Sequence, residues 1–185
     1  MSPELHINLA NLKSNINFFQ RIIKTNTELS AVVKSDAYGL GIAKIVPEIE
    51  RYGVRSFFTA TISEAIKIRS YSRECEIFTL NGFDFLKSNL YRDHNITPII
   101  NNILEAQKFI EIFNQTQKVA IQLNTGMNRL GMDKQSLLEN IDIVKSLPLN
   151  LILSHLACAD ETANKENKAQ KDLFIKLCKF LPDIR

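Results

Sequence analysis

The spacing of apolar residues along the chain predicts a regular alternation of helices and short strands. The first helix is predicted from an apolar stripe whose members lie three or four residues apart: Leu9, Leu12, Ile16, Phe19 and Ile23. The apolar run from Leu29 to Val33 is short and rich in valine, so it predicts a strand. A helix over about 42–51 follows, and Gly53 is placed to close it.

The same alternation continues to the end of the chain. Ser63 is expected to cap the third helix, which has an early acidic residue, Glu64. The remaining strands are predicted at about 57–60, 76–80, 96–100, 119–123 and 149–156. The remaining helices are predicted at about 63–70, 83–91, 103–113, 134–146 and 165–180.

Six strand-plus-helix units with strands apolar on both faces indicate an α/β fold, a parallel sheet covered by helices. Both a doubly wound sheet and a (β/α)8 barrel of the TIM type fit this pattern. A barrel needs eight units and about 250 residues, whereas this chain of 185 residues supplies about six units. Neither GxGxxG nor GxxxxGK[ST] occurs, so the sequence lacks both nucleotide-binding fingerprints.

Composition predicts one soluble domain over residues 1–185, since 45% of the residues are hydrophobic and 23 Lys plus Arg face 20 Asp plus Glu. Without a basic run, we expect no nucleic-acid or membrane partner. The longest stretch without charged side chains, 146–159, is shorter than the roughly 20 apolar residues of a spanning helix. Three cysteines without a CxxC pair and an amino terminus without signal-peptide character predict a cytoplasmic protein with reduced thiols.

Candidate chemistry lies where predicted strands end, because functional residues of α/β folds sit at the carboxyl ends of strands. Lys34 closes the first strand, and partial desolvation there would favour its nucleophilic, uncharged amine. The alternative is a lysine that extends along the surface into water. Gly39 and Gly41 follow closely and would let the backbone approach a ligand.

Two later strand ends carry further candidates. Arg129 follows the fifth strand and could bind a carboxylate or phosphate with two parallel hydrogen bonds, unless it is a solvated loop residue. His155 ends the sixth strand as either a ligand-binding residue or a satisfied core histidine. The three histidines are far apart in sequence, so we predict no metal site.

Three segments resemble the amino-terminal domain of alanine racemase, a pyridoxal-5′-phosphate (PLP) enzyme of the (β/α)8 type. They are AVVKSDAYGLG, LNTGMNRLGM and SHLACADE, in the family's order and spacing. Gln170 and Phe174 also stand where the family's next helix usually carries Gln and an aromatic residue. The resemblance covers essentially the whole chain and implies about six of the eight barrel units, without the family's carboxy-terminal β-domain.

The resemblance implies PLP-dependent racemisation of L-alanine to D-alanine, which supplies peptidoglycan synthesis. Lys34 would form a Schiff base with PLP and act as a base on one face, and Tyr38 would bind the cofactor phosphate. Arg129 would contact the cofactor's phenolic oxygen and lie near the substrate carboxylate, and His155 would belong to a network beneath the pyridine ring. The family forms head-to-tail homodimers.

Three residues depart from the family's pattern. Leu40 replaces a usual His, and Asn124 replaces a usual Asp. Gln122 stands where many members carry a lysine, often carbamylated, that orients the arginine. The neutral amide of Gln122 could still accept a hydrogen bond from Arg129, and we expect it to hold that side chain less firmly.

The chain's length leaves three functions open. The family's carboxy-terminal portion normally brings most phosphate contacts and the tyrosine that is the second base, so a truncated barrel would need it in trans. The alternatives are a PLP-binding barrel module and an inactive fragment without racemase activity. Serine or another small amino acid is an alternative substrate.

Overall fold

Two structural units make up residues 4–184, the part of the chain that this computed structural model describes. The first unit contains residues up to 80 together with 94–96, and the second contains 81–93 and the residues from 97 onward. The expectation of no signal peptide falls partly on residues 1–3, which lie outside the described residues. One domain over 1–185 stays a prediction.

The first unit has three parallel strands, and helical structure follows the first two of them. Ala31 of the first strand lies opposite Phe57 of the second, which in turn lies opposite Ile77 of the third. In chain order its elements are α1 Leu9–Ile22, β1 Ala31–Val32, α2 Lys34–Tyr38, α3 Ile42–Arg51, β2 Ser56–Thr59, α4 Ile62–Tyr71 and β3 Glu76–Thr79.

The start of α4 differs from the prediction that Ser63 caps it. Thr61 is the cap: it has extended backbone angles, and its hydroxyl accepts a hydrogen bond from the N–H of Glu64. The Glu64 carboxylate in turn accepts from the N–H of Thr61, which completes a capping box. Ser63 already lies inside the helix.

The second unit also has three parallel strands. Ile100 lies opposite Ile121, and Ile121 lies opposite Ile152. In chain order the elements are a 3₁₀ turn Phe85–Lys87, α5 Ser88–Asp93, β4 Thr97–Ile100, α6 Ile103–Phe113, β5 Val119–Gln122, α7 Lys134–Glu139, α8 Ile141–Lys145, β6 Leu149–Leu153 and α9 Lys165–Cys178.

Two predicted helices of this unit are each divided in the structure. The prediction at 83–91 is replaced by the 3₁₀ turn and the short α5. The prediction at 134–146 is interrupted at Asn140, which has non-helical backbone angles. The side-chain amide of Asn140 donates to the carbonyl of Ser136, a local bond that competes with continuous helix.

An aromatic cluster fills the space between the start of the second unit and α6. The ring of Phe83 lies 5.4 Å from that of Tyr91, 5.4 Å from that of Phe109 and 5.7 Å from that of Phe113. The Phe109 and Phe113 rings are 4.9 Å apart. Edge-to-face and tilted rings at these separations are the favourable arrangement for buried aromatics, so the cluster is a main part of this unit's core.

Arg69, near the end of α4, links several backbone segments of the first unit through hydrogen bonds. Its guanidinium donates to the carbonyls of His94, Ser72, Arg73, Cys75 and Asn95, at distances from 2.8 to 3.2 Å. These carbonyls belong to the end of α4, to the loop before β3 and to the segment 94–96. One planar group with five N–H donors therefore fixes three pieces of backbone.

We expect Arg69→Lys to lower the free energy of unfolding by about 2 kcal/mol, since an ammonium cannot reach all these carbonyls and leaves several without a charged donor. Urea unfolding followed by circular dichroism measures this change. Arg73→Lys is the matched control, because Arg73 is exposed and its replacement should change stability by at most about 0.5 kcal/mol. Equal effects of the two replacements would contradict the role of Arg69 in fixing these three backbone segments.

The described part of the chain contains no helix that is long and apolar enough to cross a membrane. Within residues 4–184, no three His, Cys, Asp or Glu side chains are grouped closely enough to hold a metal ion. Cys75, Cys158 and Cys178 are free thiols, and burial raises the pKa of the Cys75 thiol above its ordinary value.

Candidate functional site

The segment α2, which follows β1, is one turn of left-handed helix directly after Lys34. Ser35, Asp36, Ala37 and Tyr38 all have φ between 54° and 56°. The N–H of Ala37 donates to the Val33 carbonyl at 2.9 Å. Left-handed backbone costs about 1–2 kcal/mol for each residue with a Cβ, so surrounding contacts must hold this turn.

Three hydrogen bonds and one buried side chain restrain the left-handed turn. Upstream, the Val33 N–H donates to the Phe58 carbonyl of β2 at 2.8 Å. The Ser35 N–H donates to the Glu64 carboxylate at 2.7 Å, and the Ile42 N–H donates to the Asp36 carboxylate at 3.0 Å. The Ala37 side chain is buried. A strained turn that is restrained at each end is typical of a functional site.

Lys34 and Tyr38, two of the predicted site residues, both belong to this turn. Lys34 is half-buried, which differs from a fully solvated surface lysine. The Tyr38 side chain is 63% exposed, so its hydroxyl is free to meet a ligand. Gly39 and Gly41 have φ of +84° and +88° with open space around the position of a Cβ. Their backbone angles therefore require glycine, and no protein atom crowds them.

A tight loop follows β5 and carries Arg129. The Asn124 side-chain oxygen accepts from the N–H groups of Gly126 and Asn128, at 3.1 and 3.0 Å. Asn124 thus performs the turn-forming role that an aspartate could also perform. The end of the loop packs closely against its beginning at Gly131. A Cβ at this position would lie 2.9 Å from the Asn124 nitrogen, so a larger residue does not fit.

Arg129 is exposed on this loop, and the described residues give it no hydrogen bond or ion pair. Gln122 is buried, and its side-chain N–H donates to the Leu130 carbonyl at 3.4 Å. The expected hydrogen bond from Arg129 to the Gln122 amide is therefore absent among residues 4–184. The guanidinium is free for an anionic partner.

His155 follows β6 and is exposed, which excludes its interpretation as a satisfied core histidine. Its Nδ1 lies 2.8 Å from the Leu156 carbonyl oxygen, a distance that fits an N–H donating to that oxygen. This contact leaves Nε2 as the ring atom available for a ligand or a proton.

Gln170 of α9 organises the loop that contains His155. Its side chain is only 2% exposed. Its oxygen accepts from the Ala157 N–H at 2.9 Å, and its nitrogen donates to the His155 carbonyl at 3.0 Å and to the Thr125 hydroxyl at 3.3 Å. The Thr125 and Ser154 hydroxyls are 2.8 Å apart. The ends of β5 and β6 are thereby joined through buried polar side chains.

A cavity of about 510 Å³ lies at these two strand ends. Its walls include Thr125, Ser154, His155, Asn167, Gln170 and Phe174. Arg129 does not line it. The cavity combines the apolar side chains of Leu156 and Phe174 with hydroxyl, amide and imidazole groups, a mixture that suits a small-molecule site.

The structure thus places Lys34 and Tyr38 together in the first unit, and Arg129 and His155 in separate loops of the second. Sequence reasoning did not identify Glu64 as the acceptor for Ser35, nor Ser154 and Asn167 as cavity residues. The capping-box spacing from Thr61 to Glu64 indicates where the helix begins, but it does not indicate that Glu64 also accepts a hydrogen bond from Ser35.

Comparison with known proteins gives the same family that the three motifs indicate. The family model described as "Alanine racemase, N-terminal domain" matches residues 7–185. Alanine racemase from Rickettsia prowazekii (strain Madrid E) is 32% identical over 98% of this chain and 46% of its own length. The enzyme from Rickettsia canadensis (strain McKiel) is 34% identical over 98% of this chain and 53% of its own length.

A solved structure agrees with these sequence relatives. The crystal structure of alanine racemase from Bartonella henselae with covalently bound pyridoxal phosphate matches with a TM-score of 0.90 and 30% identity. The match covers 97% of this chain and 54% of that protein. It confirms the (β/α) barrel class that the resemblance predicts. The chain spans about half the length of its relatives, and it belongs to the family of alanine racemase N-terminal domains.

Proposed function

We propose that this chain is the PLP-binding part of an enzyme that racemises alanine, with Lys34 as the point of covalent attachment. One observation carries the proposal: a half-buried lysine stands at a strand end between two backbone amides, both fixed by hydrogen bonds. The covalently bound pyridoxal phosphate of the Bartonella henselae relative supports it.

The chemistry of the available side chains fits this cofactor. An amine is the group that captures an aldehyde, and Lys34 supplies one. A phosphate needs hydrogen-bond donors, and Tyr38 presents an exposed hydroxyl. Among residues 4–184 the Arg129 guanidinium has no hydrogen-bond or ion-pair partner, so it can bind a phenolate or carboxylate, and His155 offers its Nε2.

When bound, PLP supplies an electron sink for the negative charge that remains when the α-proton leaves the substrate. The amine of Lys34 would take or return that proton at its Nζ. Arg129 binds and orients the substrate carboxylate. His155 supports the cofactor ring through its network. Each of these roles is a proposal for this chain.

Racemisation also needs a proton donor or acceptor on the opposite face of the substrate, because one base on one face can only return the proton to that face. We propose that this second group lies outside residues 1–185, either later in the same polypeptide or in a carboxy-terminal portion supplied in trans. A homodimer, a cytoplasmic location and D-alanine supply for peptidoglycan belong to the same proposal, as does alanine as the substrate.

A PLP titration of the purified chain tests the cofactor proposal. Visible absorbance follows binding, and borohydride reduction followed by peptide mapping locates the attachment. We expect label at Lys34 alone with a saturable absorbance change. Label scattered over exposed lysines, or no absorbance change, would contradict the proposal.

Exchange of the alanine α-proton in heavy water separates the enzyme from a binding module. With a carboxy-terminal portion of a relative present, we expect exchange and interconversion of L- and D-alanine. Label at Lys34 without any exchange in that mixture would favour the binding module.

A further inference from the structure

The carboxylate of Glu64 accepts hydrogen bonds from three backbone N–H groups that follow two neighbouring strands. One oxygen accepts from the Ser35 N–H at 2.7 Å. The other accepts from the N–H groups of Ala60 and Thr61, at 2.8 and 3.2 Å. A single side chain at the start of α4 therefore joins the chain after β2 to the chain after β1.

The contact to Ser35 acts on Lys34, because the Ser35 nitrogen is bonded to the carbonyl carbon of Lys34. On the other side of Lys34, the Val33 N–H is held by the Phe58 carbonyl of β2. The backbone of Lys34 is thus restrained at both of its neighbours. The upstream restraint is part of the strand ladder, whereas the downstream restraint depends on the Glu64 side chain.

The hydrogen bond from the Ser35 N–H to Glu64 matters more for the direction of the Lys34 side chain than for the stability of the fold. Ser35 is exposed, so water could replace Glu64 as the acceptor for its N–H. Without Glu64 the turn would lose the contact that fixes the peptide plane after Lys34. Within residues 4–184, no carboxylate forms an ion pair with Lys34, so Glu64 acts through the backbone.

We propose that Glu64 is a positioning residue that aims the Lys34 side chain for covalent capture of an aldehyde cofactor. This inference rests on the proposed function of Lys34. Binding geometry that is fixed beforehand avoids an ordering cost when the cofactor arrives. Loss of the restraint should therefore weaken capture more than it weakens the fold.

Glu64→Gln tests the proposal. The glutamine oxygen can accept hydrogen bonds on one side of the amide only, and the NH₂ group on the other side faces N–H donors and cannot accept from them. Loss of one charge-assisted hydrogen bond predicts about tenfold weaker PLP binding at Lys34. It also predicts amide hydrogen exchange at Ser35 that is about tenfold faster, measured by NMR without any cofactor.

Two matched variants separate positioning from general stability. Thr61→Ala removes the hydroxyl that caps α4 but keeps the Glu64 carboxylate. Glu105→Gln makes the same chemical change in the second unit, where Glu105 accepts from the N–H groups of Asn101 and Phe83. Both should destabilise the protein and leave PLP affinity and Ser35 exchange unchanged.

Weaker PLP binding with faster Ser35 exchange in Glu64→Gln alone supports the proposal. Equal loss of affinity in Thr61→Ala would overturn it in favour of an ordinary helix cap. An unprotected Ser35 amide in the wild-type chain would also overturn it, even if Glu64→Gln does not fold. If the wild-type chain captures no PLP, the proposed function fails, while selective Ser35 exchange still supports positioning of the turn.

Discussion

Lys34→Ala is expected to abolish borohydride-trapped PLP on the chain, while the free energy of unfolding changes by no more than about 1 kcal/mol. The large functional effect follows because alanine has no amine to attack the cofactor aldehyde. The small structural effect follows because Lys34 is half-buried and makes no ion pair among residues 4–184. Lys34→Arg should also fail to capture PLP, since its guanidinium stays protonated and is not nucleophilic.

Peptide mapping after reduction measures the capture, and Lys67→Ala is the matched control. Lys67 is an exposed lysine of α4 in the same unit, so its replacement should leave the label at Lys34 unchanged. Undiminished total label in Lys34→Ala would show that other lysines react, and would remove Lys34 from its proposed role. Urea unfolding of each variant shows whether lost capture comes from lost folding.

Much of the fold could be predicted because apolar runs mark its buried strands. All four residues of β5 are buried, and the predicted strand at 119–123 contains them. The interruption at Asn140 could not be predicted, because the apolar pattern of 134–146 continues through it. A single side-chain bond to the Ser136 carbonyl decides the break.

The left-handed turn after Lys34 is the largest local departure from pattern-based expectation. Of Ser35 to Tyr38 only Asp36 is a residue type that tolerates positive φ, and none is glycine or asparagine. A tertiary contact from Glu64 and a local hydrogen bond between Asp36 and Ile42 hold the other residues in this conformation. Since 29 residues separate Ser35 from Glu64, no local sequence signal reveals that contact.

Site residues were predictable where one short segment carries them together. Lys34 and Tyr38 share one motif, and the structure places them in one turn. The interaction of Gln122 was harder to predict, because either end of its amide can form the hydrogen bond. Its N–H donates to the Leu130 carbonyl, and no hydrogen bond joins Gln122 to Arg129 among residues 4–184. Residue type alone does not determine that direction.

Phe109→Ala is expected to lower the free energy of unfolding by about 3–5 kcal/mol, the range for removal of a buried aromatic ring. Phe109 is 0% exposed, and its ring packs against those of Phe83 and Phe113 at 5.4 and 4.9 Å. Phe83 and Phe113 are themselves buried and packed against other rings, so they cannot move freely into the cavity left behind. Since each kcal/mol shifts Tm by about 2–4 °C at this size, thermal unfolding should show a shift of about 6–20 °C.

Phe85→Ala is the matched control in the same unit, because the Phe85 side chain is 44% exposed in the 3₁₀ turn. Its replacement removes the same atoms but leaves little cavity, so we expect a loss of about 1 kcal/mol or less. The chain has no tryptophan, so circular dichroism is the suitable signal for both variants. A Phe109→Ala variant no less stable than Phe85→Ala would show that the aromatic cluster is not the core of this unit. A large difference between the two would show that aromatic packing around α6 is a main source of this unit's stability.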